Sequence, residues 1–425
     1  MRLVKIYTLI SFIIISFYLQ SQTSVSGGIF STTTWSLSNS PYIVTGDIVV
    51  FSGATLNIQP GVEVKVDNGK FLYVRGYLKA IGNINDTIVF HSSQSNPGNN
   101  AWEAISIQND LGGKANLKFC KVMDANFGFQ VEWPANESCY LSRCLFTNNN
   151  FGNYGYTGSF YPVYIDSCSF VNNTTGVASA DKIISNCIFK NNVNGVDSER
   201  GNITKSTFEG HSGYALRAGQ DVTHCTIRNN NIGIWVVFNG FNKYQYNSIY
   251  NNGIGIKVNN ILVDCKYNTI CNNSTYNLEN LLNSNTVADN NCWCITDSSL
   301  IEQSIFSGYD NINYGLVDFM PLYGTCSSTV TQIEEIDKSQ TGSLTVYPNP
   351  FKDKTSISIN LPKKSEIKLE LYDLFGKINT VLLNQPLEAG DHKVNIEEKI
   401  GSGIFLLVLK VNEKTISTFK LVSIN

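Results

Sequence analysis

Five residues in the middle of the chain are of types that handle sugars: Asp197, Glu199, Arg217, Trp235 and Lys257. A Lys or Arg base beside acidic, calcium-holding carboxylates is the set that removes the C5 proton of a uronate, so Arg217 and Lys257 are the candidate bases of a polysaccharide lyase. Calcium would be the cofactor of that chemistry alone. Without it, Asp197, Glu199 and Trp235 suit binding, because an indole stacks on a sugar ring and carboxylates accept its hydroxyls. The bland alternative is a solvated face with scattered charge. A glycosidase needs paired carboxylates at a set separation, and no such pair is evident. The fragment Gly210-His211-Ser212-Gly213 is the nearest echo of a catalytic His element. It reads better as a turn in which His replaces Asn. His224 is expected to point outward.

These residues sit on a repeat. Take the ladder position as Cys120, Cys144, Cys168, Cys187, Ser206, Cys225, Asn247 and Asn268, spaced 19 to 24 residues apart. Two residues on comes an apolar side chain, from Val122 through Phe146, Phe170, Phe189 and Phe208 to Ile270. Four residues on comes Asp124, then Asn or, once, Gly210; eight residues on comes Gly in six copies. Short strands broken by Asn and Gly turns at this period mean stacked supersecondary units. The register puts Phe189, Ile227, Ile234 and Val236 inside. Asn is expected to turn the chain and bond along the stack, and Gly195 to supply a positive φ. Asp197, Trp235 and Lys257 each fall ten residues after a ladder position, on the outward side of the second strand. Neighbouring coils would bring them to one oligosaccharide.

The pattern resembles the right-handed parallel β-helix family of pectate-lyase-like and surface proteins. The repeats carry the resemblance over about 116–280. Upstream, YIVTGDIVV, the I-x-P-G-V turn and WEAISI look like first coils; downstream, 290–322 looks like a last coil and cap. The implied fold is all-β: a right-handed parallel β-helix solenoid over 23–326, then a polar linker at 327–342 and a small antiparallel β-sandwich at 343–425. Cysteines stacked about 4.8 Å apart with parallel Cβ vectors do not suit a disulfide, whose Cβ atoms stand about 3.8 Å apart. They read as an inward stack of small apolar thiols. Cys292, Cys294 and Cys326 lie outside the ladder and are the candidates for a bridge. C-x-C with one distant Cys is only a weak signal of a metal site.

The start has Arg2 and Lys5 before an apolar run to Leu19, which reads as a signal peptide over 1–22. At the other end, VYPNPF, LYDLFGK, L-x-x-G-x-H-x-V, GIFLLVLKVN and KLV occur in order. Together they resemble the C-terminal sorting domain of the type IX secretion system. The residues carrying the motif are Tyr347, Pro348, Asn349, Pro350, Gly376, Gly403 and Lys420. The resemblance implies a partner in the secretion machinery and passage by the periplasm to the outer surface or medium. Net charge is −3 over 425 residues, so no basic surface asks for nucleic acid. The whole reads as a monomeric, exported β-helix that binds extracellular polysaccharide or a cell-surface glycan, with a lyase or hydrolase on acidic polysaccharide as the alternative.

Overall fold

The computed structural model describes residues 22–323 and 343–423, apart from breaks at 133–136, 156–160, 180–181, 220, 239–241, 261–263, 350, 353, 373–377, 397–402 and 413. The proposed signal peptide to residue 21, Cys326, the linker, Pro350 and Gly376 lie outside the described residues. The chain divides into two compact units, 1–328 and 329–425.

The first unit is a parallel β-solenoid. One coil shows how the sequence builds it. Ile188–Lys190 is a short strand with Phe189 inward. Asn191 then takes φ 55 and bends the chain. Asn194–Ser198 is the second strand and Gly201–Thr204 the third, with Val196 and Ile203 buried. Lys205 at φ 50 makes a second bend into the next coil. Each strand pairs in parallel with its counterpart one coil on, as Phe189 with Phe208, Val196 with Leu216 and Ile184 with Ile203. The third strands form an 11-stranded sheet, and the first and second strands together a 23-stranded one. The core is therefore one continuous apolar column from Trp35 to Val317.

The left-handed bends fall where the Asn pattern places them. Asn148, Asn172, Asn191, Asn229, Asn251 and Asn272 have φ from 54 to 58. Asn bears this region better than most side chains. Asn148 also donates to Asp124 Oδ1 one coil back at 2.8 Å, but the next residue does most of the bonding. Asn149, Asn173 and Asn192 are buried, and each amide of the first two donates to the Asn Oδ1 one coil on, both at 3.0 Å. Asn230 to Asn252 and Asn252 to Asn273 continue the ladder at 2.9 Å. A second column of bends, Phe119, Arg143, Ser167, Asn186, Lys205, His224, Tyr246 and Tyr267, carries no residue-type signature and is not legible in sequence. His224 stacks there on Tyr246 at 5.0 Å.

Two expectations change. Gly195 does not have a positive φ, and neither do Gly128, Gly152, Gly176, Gly233 and Gly255. These positions are glycine because the next coil passes too close: a Cβ on Gly152 would stand 2.6 Å from the Gly176 carbonyl oxygen. The ladder thiols, buried and unbridged as expected, are also more than apolar filler. The Cys144 and Cys168 amides donate to the Sγ of Cys168 and Cys187, both at 3.4 Å. Ser206 Oγ accepts from Cys187 N at 3.1 Å and Asn247 Oδ1 from Cys225 N at 2.9 Å. Cys, Ser and Asn interchange because each offers an acceptor to an amide that would otherwise be buried unpaired.

The bridge uses an expected cysteine with an unexpected partner. Cys294 pairs with Cys271, with Cα atoms 5.8 Å apart. The isolated parallel bridge between Thr269 and Cys292 sets 292–294 beside 269–271, which brings Cys294 opposite Cys271. Cys294 has φ 60, so it has left regular strand geometry and its Cβ vector is not bound to run parallel. Cys292 is disulfide-bonded as well. Past this point the helix Ser298–Gln303, capped by the Asp297 carboxylate on Ser299 N, buries Ile301 over the last coil. Such a cover protects strand edges that would otherwise stay open.

His211 stands in the Asn ladder. Its Nδ1 accepts from Asn192 N at 3.2 Å, and its own amide donates to Asn230 Oδ1 at 3.0 Å. Nε2 is buried without a partner. Burial pushes the imidazole down from 6.5 to about 4. As pH falls below the ordinary value the unfolded chain takes up the proton first, so stability is present at neutral pH and is lost as pH falls toward 4. The loss is on the order of 3 kcal/mol. His211→Asn is expected to remove it and to restore the amide ladder. Urea titrations at pH 7 and pH 4 check this; equal acid losses in the two proteins would show that His211 is not the sensor.

The second unit is an antiparallel sandwich. One sheet has Ser343–Tyr347, Thr355–Leu361 and Gly390–Ile396; the other has Ile378–Leu387, Ser365–Tyr372, Gly403–Val411 and Lys414–Ser423. Alternation puts Ile357, Ile359, Leu369, Leu371, Leu407 and Leu409 between them. Gly390 opens its strand.

Candidate functional site

Register decides which outward side chains meet. On the second-strand face Asp197 pairs with Arg217, Arg217 with Trp235, Trp235 with Lys257 and Lys257 with Glu279. Four of the five candidates thus form one column, each a coil apart, about 4.8 Å. Arg217 belongs to it although it lies eleven residues after its ladder position, because the fifth copy has one extra residue between His211 and its second strand and one fewer before its third. Glu199 lies just past its strand, exposed, at the same edge.

The column is internally paired. Arg217 Nη1 lies 3.3 Å from Asp197 Oδ2. Its guanidinium also sits 5.9 Å from the Trp235 ring centre and 5.3 Å from that of Phe238. Tyr214 donates to Asp197 Oδ2 at 3.0 Å. Burial, then the Asp197 carboxylate, push its phenol up to about 12, so it stays a donor over the physiological range. Trp235 Nε1 donates to Asn259 Oδ1 at 2.8 Å, and Lys257 Nζ lies 2.9 Å from Glu279 Oε2. Arg217 and Lys257 are therefore two coils apart, with Trp235 between them, and each faces its own carboxylate. The arrangement holds aromatic and charged groups rigidly in line along the solenoid axis. Among the described residues no group of three His, Cys, Asp or Glu is placed to hold a metal.

A cavity of about 270 Å³ opens at the N-terminal end of the column. Tyr154, Ala178, Ser179, Asp197, Glu199 and Arg217 are among the residues that line it, with Ala178 opposite Asp197 in the ladder. Sequence reasoning missed Tyr154, Ala178 and Ser179. The rule that found Trp235 would have found the first two, since each lies ten residues after a ladder cysteine.

In the second unit Tyr347 ends its strand and the Pro348 carbonyl accepts from Thr355 Oγ1 at 2.7 Å. Gly403 opens a strand opposite Ser423, and Lys420 pairs with Leu406. On the outer face of the same sheet, buried Glu370 meets Lys410 at 2.8 Å and Lys368 at 2.9 Å. Hydrogen bonds from Lys410, Lys368 and Tyr372 hold its carboxyl at about 2.

Residues 345–424 match the secretion system C-terminal sorting domain. The tail marks the chain for the type IX system, whose machinery it must engage, and for the cell surface or the extracellular space. A stretch of 80 residues is 41% identical to the protein bark beetle of Drosophila melanogaster. It makes up 19% of this chain and 2% of that protein. The sorting tail and the parallel solenoid together are what the opening resemblances implied.

Proposed function

We propose that this is an exported β-helix whose lateral face binds glycans, delivered by its sorting tail after a signal peptide has taken it to the periplasm. The observation that carries the reading is the column Asp197, Arg217, Trp235, Lys257 and Glu279, in line on successive coils. A rigid comb of polar and aromatic groups about 4.8 Å apart suits a polymer lying along it. The scaffold is preorganised, so binding costs little ordering. Its ion pairs fix the charged groups in place and leave the Trp235 ring face and the remaining carboxylate lone pairs as the groups a sugar would meet.

Glycan-array screening of the secreted protein tests this. Trp235→Ala is expected to weaken binding about tenfold, the loss of roughly one ring-stacking contact. No binding to any glycan by the wild type would overturn the reading. A rise in ultraviolet absorbance from unsaturated uronides, abolished by Lys257→Ala, would replace it with a lyase.

A further inference from the structure

We infer that the cavity at Ala178 is a subsite for a single neutral pyranose unit; this deepens the glycan-binding reading and rests on it. The cavity exists because of one small side chain. Along the outward column the residues run Gln130, Tyr154, Ala178, Asp197, Arg217, with Gln130 opposite Tyr154 and Ala178 opposite Asp197. Every neighbour of Ala178 is large, so the solenoid carries a notch one coil wide between the Tyr154 ring and the Asp197 carboxylate. At about 270 Å³ it lies just below the roughly 300–1,000 Å³ typical of small-molecule sites, room for one ring and not for several.

Three features aim the notch at a sugar. Ser179 Oγ is buried with no partner, and Ser179 holds a left-handed backbone at φ 81. Non-glycine residues at positive φ recur at the bends of this solenoid, so what sets Ser179 apart is its buried, idle hydroxyl in the lining of the cavity. Arg217 Nε is also buried and unpartnered, a donor lying at the wall. Phe151, Tyr154 and Phe238 add apolar ring surface. A ligand must thus offer hydroxyls to Asp197 and Glu199, oxygens to Ser179 and Arg217, and an apolar face to the rings. A pyranose does all three.

Charge selects the class. Two carboxylates and two arginines line the space, and Arg217 already answers Asp197. A uronate would be forced against Asp197 and Glu199 in a small volume, and an amino sugar against Arg200 and Arg217. A neutral ring meets neither penalty.

The test is saturation-transfer NMR and calorimetry on the secreted chain with methyl glycosides of neutral hexoses, uronic acids and amino sugars. Neutral glycosides are expected to bind and the charged ones to bind at least tenfold more weakly. Ala178→Leu, which fills the notch, is expected to abolish this binding with the circular dichroism spectrum unchanged. Ser179→Gly relieves the backbone and is expected to keep or raise the melting temperature while weakening binding several-fold, a split that a purely structural Ser179 would not produce. Uronides binding better than neutral sugars would overturn the neutral class. Glycan binding that survives Ala178→Leu unchanged would overturn the subsite and leave the lateral-face reading standing. No binding of any glycoside or array glycan would overturn both.

Discussion

Phe189→Ala is expected to cost the solenoid about 3–5 kcal/mol, the range for removing a buried ring from a packed core. Phe146, Phe170, Phe189 and Phe208 stack down the interior with ring centres 4.9, 4.9 and 4.6 Å apart and planes within 7° of parallel. All four are buried. Removing the third leaves a ring-sized void between two faces, and the backbone cannot close it, because strand pairing on both sides fixes the coil spacing. Phe189→Ile tests the shape argument. The same inward position is Ile227, Ile249 and Ile270 in later coils, so Ile fits the site and is expected to cost much less, about 1–2 kcal/mol. Urea unfolding followed by circular dichroism measures both. A repeat array couples nearest neighbours, so the Ala variant is also expected to unfold with a broader transition as the stack parts at this coil. An Ala variant as stable as the wild type would mean that the phenyl column is not what holds adjacent coils together.

Removal of residues 343–425 is expected to abolish export while leaving the solenoid folded. The physical basis is the independence of two cores: Trp35 through Val317 in one, Val346 through Leu421 in the other. Among the described residues the two clusters have no member in common, so each core is built from its own unit. The sorting match covers 345–424, which lies wholly within the deleted stretch. The truncated protein should accumulate inside the cell envelope, resist proteolysis there and melt as the solenoid of the intact chain does. Fractionation with immunoblotting reads the location, and thermal melting of the purified fragment reads the fold. Normal appearance of the truncated chain in the medium would show that the tail is dispensable for transport. A truncated chain degraded everywhere would instead show that the solenoid depends on its tail.

Much of the solenoid was legible because its signals are local. Alternation along a strand puts Phe189 and Val196 inside whatever lies beyond the coil, and an Asn at a fixed offset bends the chain through its own backbone preference. The order of motifs at the C-terminus is also a property of the linear chain. The candidate column was legible only in part. Asp197, Trp235 and Lys257 share an offset, so counting found them. Arg217 joins them through one extra residue in the turn before its second strand, and its true neighbours depend on where that residue is absorbed.

Tertiary structure alone decided the contacts between coils. Gly152 is glycine because of a carbonyl in the next turn, and Cys187 is an acceptor because an amide in the previous turn needs one. Cys294 finds Cys271 because the chain doubles back beside it. The notch at Ala178 exists only relative to larger neighbours about 19 to 24 residues away. A sequence states what each residue prefers in its own strand or turn. Which atoms it then faces is set by the lengths of the loops between, and those lengths vary from coil to coil.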